Sequence, residues 1–142
     1  MKSKALLDTD IFSEVLKGRD TVIVMRAQEY LQEYSVFTIS AISVMEIICG
    51  YQRIGRQDKL EQFLQITNTL EIIPFDRESA ALAGRIDGDL WRTGQRIGRA
   101  DPMIAAQAIV NQLVLVSGNV EHYLRVQSLG YPLQVENWRS VI

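Results

Sequence analysis

One cysteine and one histidine occur in 142 residues. A lone thiol excludes an internal disulfide, and Cys49 leaves too few soft ligands for a zinc site. Beside Ile47 and Ile48 it is expected to be a buried, inert thiol. No apolar run approaches the roughly 18–20 residues of a membrane-spanning helix. The start, Met1-Lys2-Ser3-Lys4, is basic, but the apolar run after it is too short for a secretory signal. The chain is therefore expected in the cytoplasm and away from membranes. Excess positive charge is missing too: a net charge of −2 and a pI near 5.4 are not the footprint of a protein that holds nucleic acid by charge alone. Against eleven arginines the chain has four lysines, none after Lys59, so the second half carries its positive charge only as arginine, a residue suited to bidentate phosphate and carboxylate pairing. Repeats, low-complexity tracts and linkers are absent. A composition of 47% hydrophobic and 23% charged residues suits one globular domain over residues 1–142.

What is present is an alternation of short apolar runs and amphipathic segments. Ala5-Leu6-Leu7 reads as a buried strand that ends in Asp8-Thr9-Asp10. A short helix is expected from about Ile11 to Gly18, capped by Asp10 or Thr9. A second runs from Thr21 to Tyr34, with Met25, Ala27, Tyr30, Leu31 and Tyr34 on one wide face. The β-branched and aromatic run Val36–Ile39 predicts a strand. Ser40 then caps a helix over Ala41–Arg53, and another spans Asp58–Thr69. Leu70–Phe75 reads as a strand near a sheet edge, because Pro74 cannot donate to a ladder. Asp76 opens a helix to Thr93. Asp101-Pro102 has the pattern of an N-cap followed by a first helical residue, for a helix reaching Asn111. Leu113–Val116 is a buried strand, Val120–Ser128 a helix, and Leu133–Val135 a last short strand before a packed Trp138. Strands alternating with helices imply βαβ units, hence an α/β fold with a parallel central sheet and helices on both faces.

In such a sheet, ligands bind outside the carboxyl ends of the strands. Asp8, Glu46, Asp101 and Asn119 all fall just after strands or early in the helices that follow, so a parallel sheet crowds them on one rim. Grouped carboxylates repel unless a cation lies among them. Hard oxygen donors without a His or Cys cluster favour Mg²⁺ or Mn²⁺, which suits phosphoester hydrolysis. Each residue also has a plainer role. Asp8 and Asp101 suit helix caps, and Asn119 suits a turn. Glu46, among Val44, Met45, Ile47 and Ile48, is expected to be buried and to need a metal or an arginine as partner. His122 suits a helix surface, or the same site.

Four stretches together resemble the PIN-domain ribonucleases, specifically the VapC-type toxins of type II toxin–antitoxin pairs. They are Leu6-Leu7-Asp8-Thr9-Asp10, Ser43-Val44-Met45-Glu46-Ile47-Ile48-Cys49-Gly50, Gly94–Ala106 around Ile97-Gly98-Arg99-Ala100-Asp101, and Leu115-Val116-Ser117-Gly118-Asn119. The closing Val135-Glu136-Asn137-Trp138 is similar as well. The resemblance implies an α/β/α sandwich with Mg²⁺ or Mn²⁺ held by Asp8, Glu46 and Asp101, and Thr9 and Ser117 in support. It implies cleavage of RNA, often tRNA or rRNA, a VapB-like cognate antitoxin, and a homodimer. Glu46 would serve as ligand or as base for the attacking water. Arg96 and Arg99 would hold phosphates, or else belong to a solvated loop. Two departures stand out. Asp10 occupies a position where the family more often has Asn, so it either strengthens metal binding or demands a partner. After Asn119, the acid often found three residues later is replaced by His122, with Glu121 before it, which leaves the fourth site residue open. Two other readings stay beside this one: a catalytically silent module that binds RNA or protein, and a small-molecule phosphatase. Asp8-Thr9-Asp10 suits the phosphatase, but Phe12 and the missing late lysine do not.

Overall fold

The computed structural model describes residues 3–139, so Met1 and Lys2 of the basic start and residues 140–142 lie outside it. Its strands are β1 (Ala5–Leu7), β2 (Thr38–Ser40), β3 (Glu71–Ile73), β4 (Val114–Val116) and β5 (Val135–Glu136). Its helices are α1 (Thr9–Lys17), α2 (Thr21–Tyr34), α3 (Ala41–Arg53), α4 (Gln57–Thr67), α5 (Arg77–Arg92), α6 (Ala100–Val110) and α7 (Val120–Ser128). The strands form one sheet in the order β3-β2-β1-β4-β5, and every pairing is parallel. From β1 the chain winds outward through β2 and β3, then crosses back to β4 on the other side. The order therefore reverses between β1 and β4, where open α/β sheets carry their ligand crevice.

Period-2 alternation assigns the strand side chains to two cores. Leu6 and Leu115 face α5, α6 and α7 through Ile86, Leu90, Ile104 and Tyr123. Ala5, Leu7, Ile39 and Val116 face α1 to α4 through Ile11, Phe12, Ile23, Ile47 and Phe63, and Trp138 closes that side. This is the expected three-layer arrangement. The wide face read along α2 is narrower in the fold: Ile23, Ala27 and Tyr30 are buried, whereas Met25 and Leu31 are exposed.

The strands are shorter than the apolar runs that mark them. Val36 is exposed, and β2 starts only at Thr38, where the ladder to β3 begins. β3, an edge strand, stops before Pro74. The last strand pairs through Val135 and Glu136, not from Leu133. Two helix starts also differ. Asp8 itself, rather than Thr9 or Asp10, is the N-cap of α1 and accepts the Thr9 N–H at 2.8 Å. α6 begins at Ala100 with Arg99 at its N-cap, which places Asp101 and Pro102 inside the first turn. A proline is tolerated there because first-turn N–H groups have no intrahelical partner. The Asp101 carboxylate is thus not used as the cap. Cys49 is exposed, contrary to expectation. Ser43 and Ile47 mark the buried face of α3, and a step of two helical residues, about 200°, turns Cys49 away from it.

One buried polar side chain ties the layers together near the rim. Gln107 of α6 accepts from the Ser40 hydroxyl and donates to the carbonyls of Ile73 and Pro74, at 3.2 and 3.1 Å. Ser40 also caps α3 by accepting the Ile42 N–H. Gln107 therefore links the exits of β2 and β3 to the helix that carries Asp101. Its removal strands the buried Ser40 hydroxyl and two part-buried carbonyls. We expect Gln107→Ala to destabilise the fold by roughly 3 kcal/mol, read as a lower urea midpoint at unchanged slope.

Candidate active site

Asp8 follows β1 at the point where the sheet order reverses, and it is 2% exposed. Its backbone N–H extends the β1–β4 ladder to Val116 O at 2.8 Å, so the residue is fixed before its side chain is considered. The carboxylate is surrounded by donors. Oδ1 accepts the Thr9 N–H, while Oδ2 accepts the Ser117 hydroxyl at 2.8 Å and the Tyr123 hydroxyl at 3.0 Å. Ser117 follows β4 and in turn accepts the Asn119 N–H, which holds the β4–α7 turn against Asp8. Burial pushes the Asp8 carboxyl up to about 6 from its ordinary 3.8; the negative charges of Asp10 and Asp101 add to that, and the Ser117 and Thr9 hydrogen bonds oppose it. Tyr123 is also driven well above its usual value, chiefly by burial and then by the charges of Asp8 and Asp101.

The other acids stand around this centre in different ways. Asp101 is close enough for its field to act on Asp8, and its Oδ2 lies 2.9 Å from His122 Nδ1. Glu46 is only partly buried. Its partner is neither an arginine nor another acid but the Thr9 hydroxyl, at 2.6 Å, which also lies 2.7 Å from the Ser43 hydroxyl. Thr9 thus bridges the start of α1 to α3. Asp10 has found the partners that its extra charge demands. Its Oδ1 takes the Ile11 N–H, and its Oδ2 takes the Gly118 N–H at 2.9 Å and faces Arg139 Nη1 at 3.4 Å. Arg139 also reaches Glu14, at 3.8 Å. A Cβ on Gly118 would lie 1.9 Å from Arg139 Nη1 and 2.7 Å from Asp10 Oδ2, so only glycine lets this pair close over the turn.

The structure therefore brings Asp8, Asp10, Asp101, Ser117 and His122 to one rim, with Glu46 attached through Thr9. Asn119 and Glu121 are exposed at the start of α7, and the Asn119 side chain does not cap the helix. Arg96 is committed elsewhere: it pairs with Asp87 at 3.2 Å and stacks over the Trp91 ring at 4.1 Å. Arg99 is exposed at the N-cap of α6 and borders, with Arg96, a cleft of about 350 Å³ between α5 and α6. Among the described residues no three His, Cys, Asp or Glu side chains converge tightly enough to enclose an ion by themselves. Tyr123 and Arg139 are site residues that the sequence did not announce. Tyr123 reads as one more apolar position of a helix, and nothing in the order of residues directs its hydroxyl to Asp8. Arg139 stands 129 residues from Asp10.

Comparisons with known proteins show the family and the fold. The PIN domain model matches residues 5–126. The chain is 32% identical over 139 residues to Ribonuclease VapC2 of Haemophilus influenzae, an alignment covering 95% of this chain and 98% of the relative. It is 27% identical over 136 residues to the tRNA(fMet)-specific endonuclease VapC of Salmonella typhimurium, covering 95% and 98%. It also superimposes on a chain of the DNA-bound VapBC crystal structure from Salmonella typhimurium with a TM-score of 0.79 and 28% identity, over 96% of this chain and 99% of that one.

The raised Asp8 carboxyl has a consequence for stability. Its folded-state value, about 6, lies above the ordinary 3.8, so its contribution is fully present below about pH 3.8 and is lost as pH rises through 6. Ionised Asp8 therefore costs the fold up to about 3 kcal/mol at neutral pH. In chelator, Asp8→Asn is expected to gain on the wild type by that amount between pH 4 and pH 7, measured by urea unfolding across the range. Parallel pH curves for the two proteins would contradict this.

Proposed function

We propose, from the premise that this chain belongs to the PIN-domain family and is related throughout to VapC ribonucleases, that it is an endoribonuclease toxin. It hydrolyses RNA phosphodiester bonds and is silenced by a cognate VapB-like antitoxin. The observation that carries this reading is Asp8: a buried carboxylate at the crevice of a parallel sheet, under the negative fields of Asp10 and Asp101. A structural cap alone has no use for neighbours that disfavour its charge. The substrate class we assign is tRNA or rRNA, since one relative is named for a tRNA. The exposed Met25 and Leu31 on α2 and Leu64 on α4 offer apolar surface for the antitoxin.

The donor set fits a hard divalent cation, Mg²⁺ or Mn²⁺. The carboxylates whose charges act on Asp8, those of Asp10 and Asp101, are oxygen donors of like charge, whose repulsion a cation relieves. Because no three of them close a shell, Asp8 and Asp101 would hold the ion and water would complete it, which suits a metal that dehydrates reluctantly. When bound, such an ion lowers the pKa of a water and offsets charge on the phosphoryl oxygens. The chain's own groups do the rest. Ser117, Tyr123 and the Thr9 N–H keep the Asp8 carboxylate in one orientation. Glu46, aimed by Thr9, takes the proton of the attacking water. Arg99, beside Asp101, meets a phosphate next to the cut. Arg96 stays with Asp87 and Trp91.

The test is to incubate the antitoxin-free protein with total RNA in Mg²⁺, Mn²⁺ or EDTA, beside Asp8→Asn and Asp101→Asn. Discrete cuts that need the cation are expected, with each variant at least about a hundredfold slower, the scale of several kcal/mol of transition-state stabilisation. Cuts that persist in EDTA or in both variants would overturn the assignment.

A further inference from the structure

The first turn of α7 touches both central acids. His122 Nδ1 lies 2.9 Å from Asp101 Oδ2, and the next residue, Tyr123, donates its hydroxyl to Asp8 Oδ2 at 3.0 Å. The two acids belong to different elements, the exit of β1 and the start of α6. Among the described residues α7 is the helix whose side chains hydrogen-bond to both. A carboxylate only accepts, so the tautomer of His122 with hydrogen on Nδ1 is the one that donates to Asp101 here. Asp101 Oδ1 is then left without a protein donor among the described residues, facing the task of a ligand. The two contacts differ in depth: Tyr123 is fully buried, whereas the His122 side chain is 41% exposed and that of Asp101 is 18% exposed.

We infer that His122 and Tyr123 are positioning residues that set the separation of Asp8 and Asp101 and so select the size of the cation held between them. The inference rests on the cation site of the ribonuclease reading. Two carboxylates on separate elements drift apart unless something spans them, and a loose pair takes a large ion as readily as a small one. Discrimination between divalent ions is a matter of cavity size and rigidity. Consecutive residues of one helical turn are a rigid spacer, since their backbone is fixed by the helix itself. Hydrogen bonds to a ligating carboxylate are worth about 10–100-fold in metal affinity.

The experiment measures Mn²⁺ uptake by the full chain without RNA, from the electron paramagnetic resonance signal of the free ion, with Ca²⁺ as competitor. His122→Phe is expected to bind Mn²⁺ at least about tenfold more weakly with little change for Ca²⁺, so the preference for the smaller ion falls. Tyr123→Phe moves it in the same direction. His122→Asn, whose amide nitrogen overlies Nδ1, restores most of the preference, whereas His122→Gln, whose amide overlies Nε2, does not. The contrast between Asn and Gln decides the matter even if the Phe variant fails to fold. An unchanged preference in His122→Phe, equal behaviour of Asn and Gln, or a wild type that takes up no Mn²⁺ would overturn the inference. Nitrogen hyperfine coupling on bound Mn²⁺ would also overturn it, by making His122 a ligand. Absent RNA cleavage with this pattern of uptake intact would instead count against the ribonuclease reading alone.

Discussion

A carboxylate held out of water at the end of a parallel strand is the constraint around which the rest is arranged. Asp8 caps α1, continues the β1–β4 ladder and accepts two buried hydroxyls. Each of those donors comes from a different part of the chain: Thr9 from α1, Ser117 from the exit of β4, Tyr123 from α7. Burying a charge is costly unless donors surround it. The donors reduce that cost without cancelling it, because Asp10 and Asp101 add their charges to the same region. The fold thus keeps a group that is worse off folded than unfolded at neutral pH. Such a debt is what a site built to receive a cation would carry.

The surrounding charges are sorted by what they can reach. Asp10 is relieved by the Gly118 N–H and by Arg139, so its charge is shared with the C-terminal segment. Glu46 is kept apart by Thr9 and stays half in water. Asp101 is kept free of capping by a helix that starts one residue before it and is approached instead by His122. The protein is acidic overall, with a net charge of −2, so its total charge supplies no general attraction for RNA. In the proposed reaction, a bound cation and the nearby Arg99 would bring the phosphate to the acids. The chain belongs to the PIN-domain family and is related along its length to VapC ribonucleases.

Legibility varied with the range of the interaction. Asp8 stood out because an apolar run ends at it, and the same logic located Ser117 after β4. The Asp76, Ser40 and Gly18 signals marked helix ends correctly, since capping is decided within a few residues. Asp101-Pro102 misled for the same local reason: the pair suits an N-cap, yet α6 starts one residue earlier, at Ala100, with Arg99 at the cap. Cys49 was misplaced because a run of apolar letters does not show which way a helix turns. Glu46 was expected to be buried among apolar neighbours; it is only partly buried, and its hydrogen-bond partner in the fold is a hydroxyl from 37 residues away.

The order of short apolar runs and amphipathic segments by itself determined the parallel sheet, its two helical layers and the rim where the acids meet. Those follow from side-chain periodicity and from the rule that ligands gather at strand ends, both readable along one segment at a time. Only the tertiary structure decided which oxygens touch: that Tyr123 and Ser117 share Asp8 Oδ2, that Thr9 claims Glu46, that Arg139 closes over Gly118 onto Asp10, and that His122 faces Asp101. These are contacts between groups as much as 129 residues apart, set at the scale of a hydrogen bond. A shift of an ångström breaks them, and no periodicity along the chain encodes a distance that small.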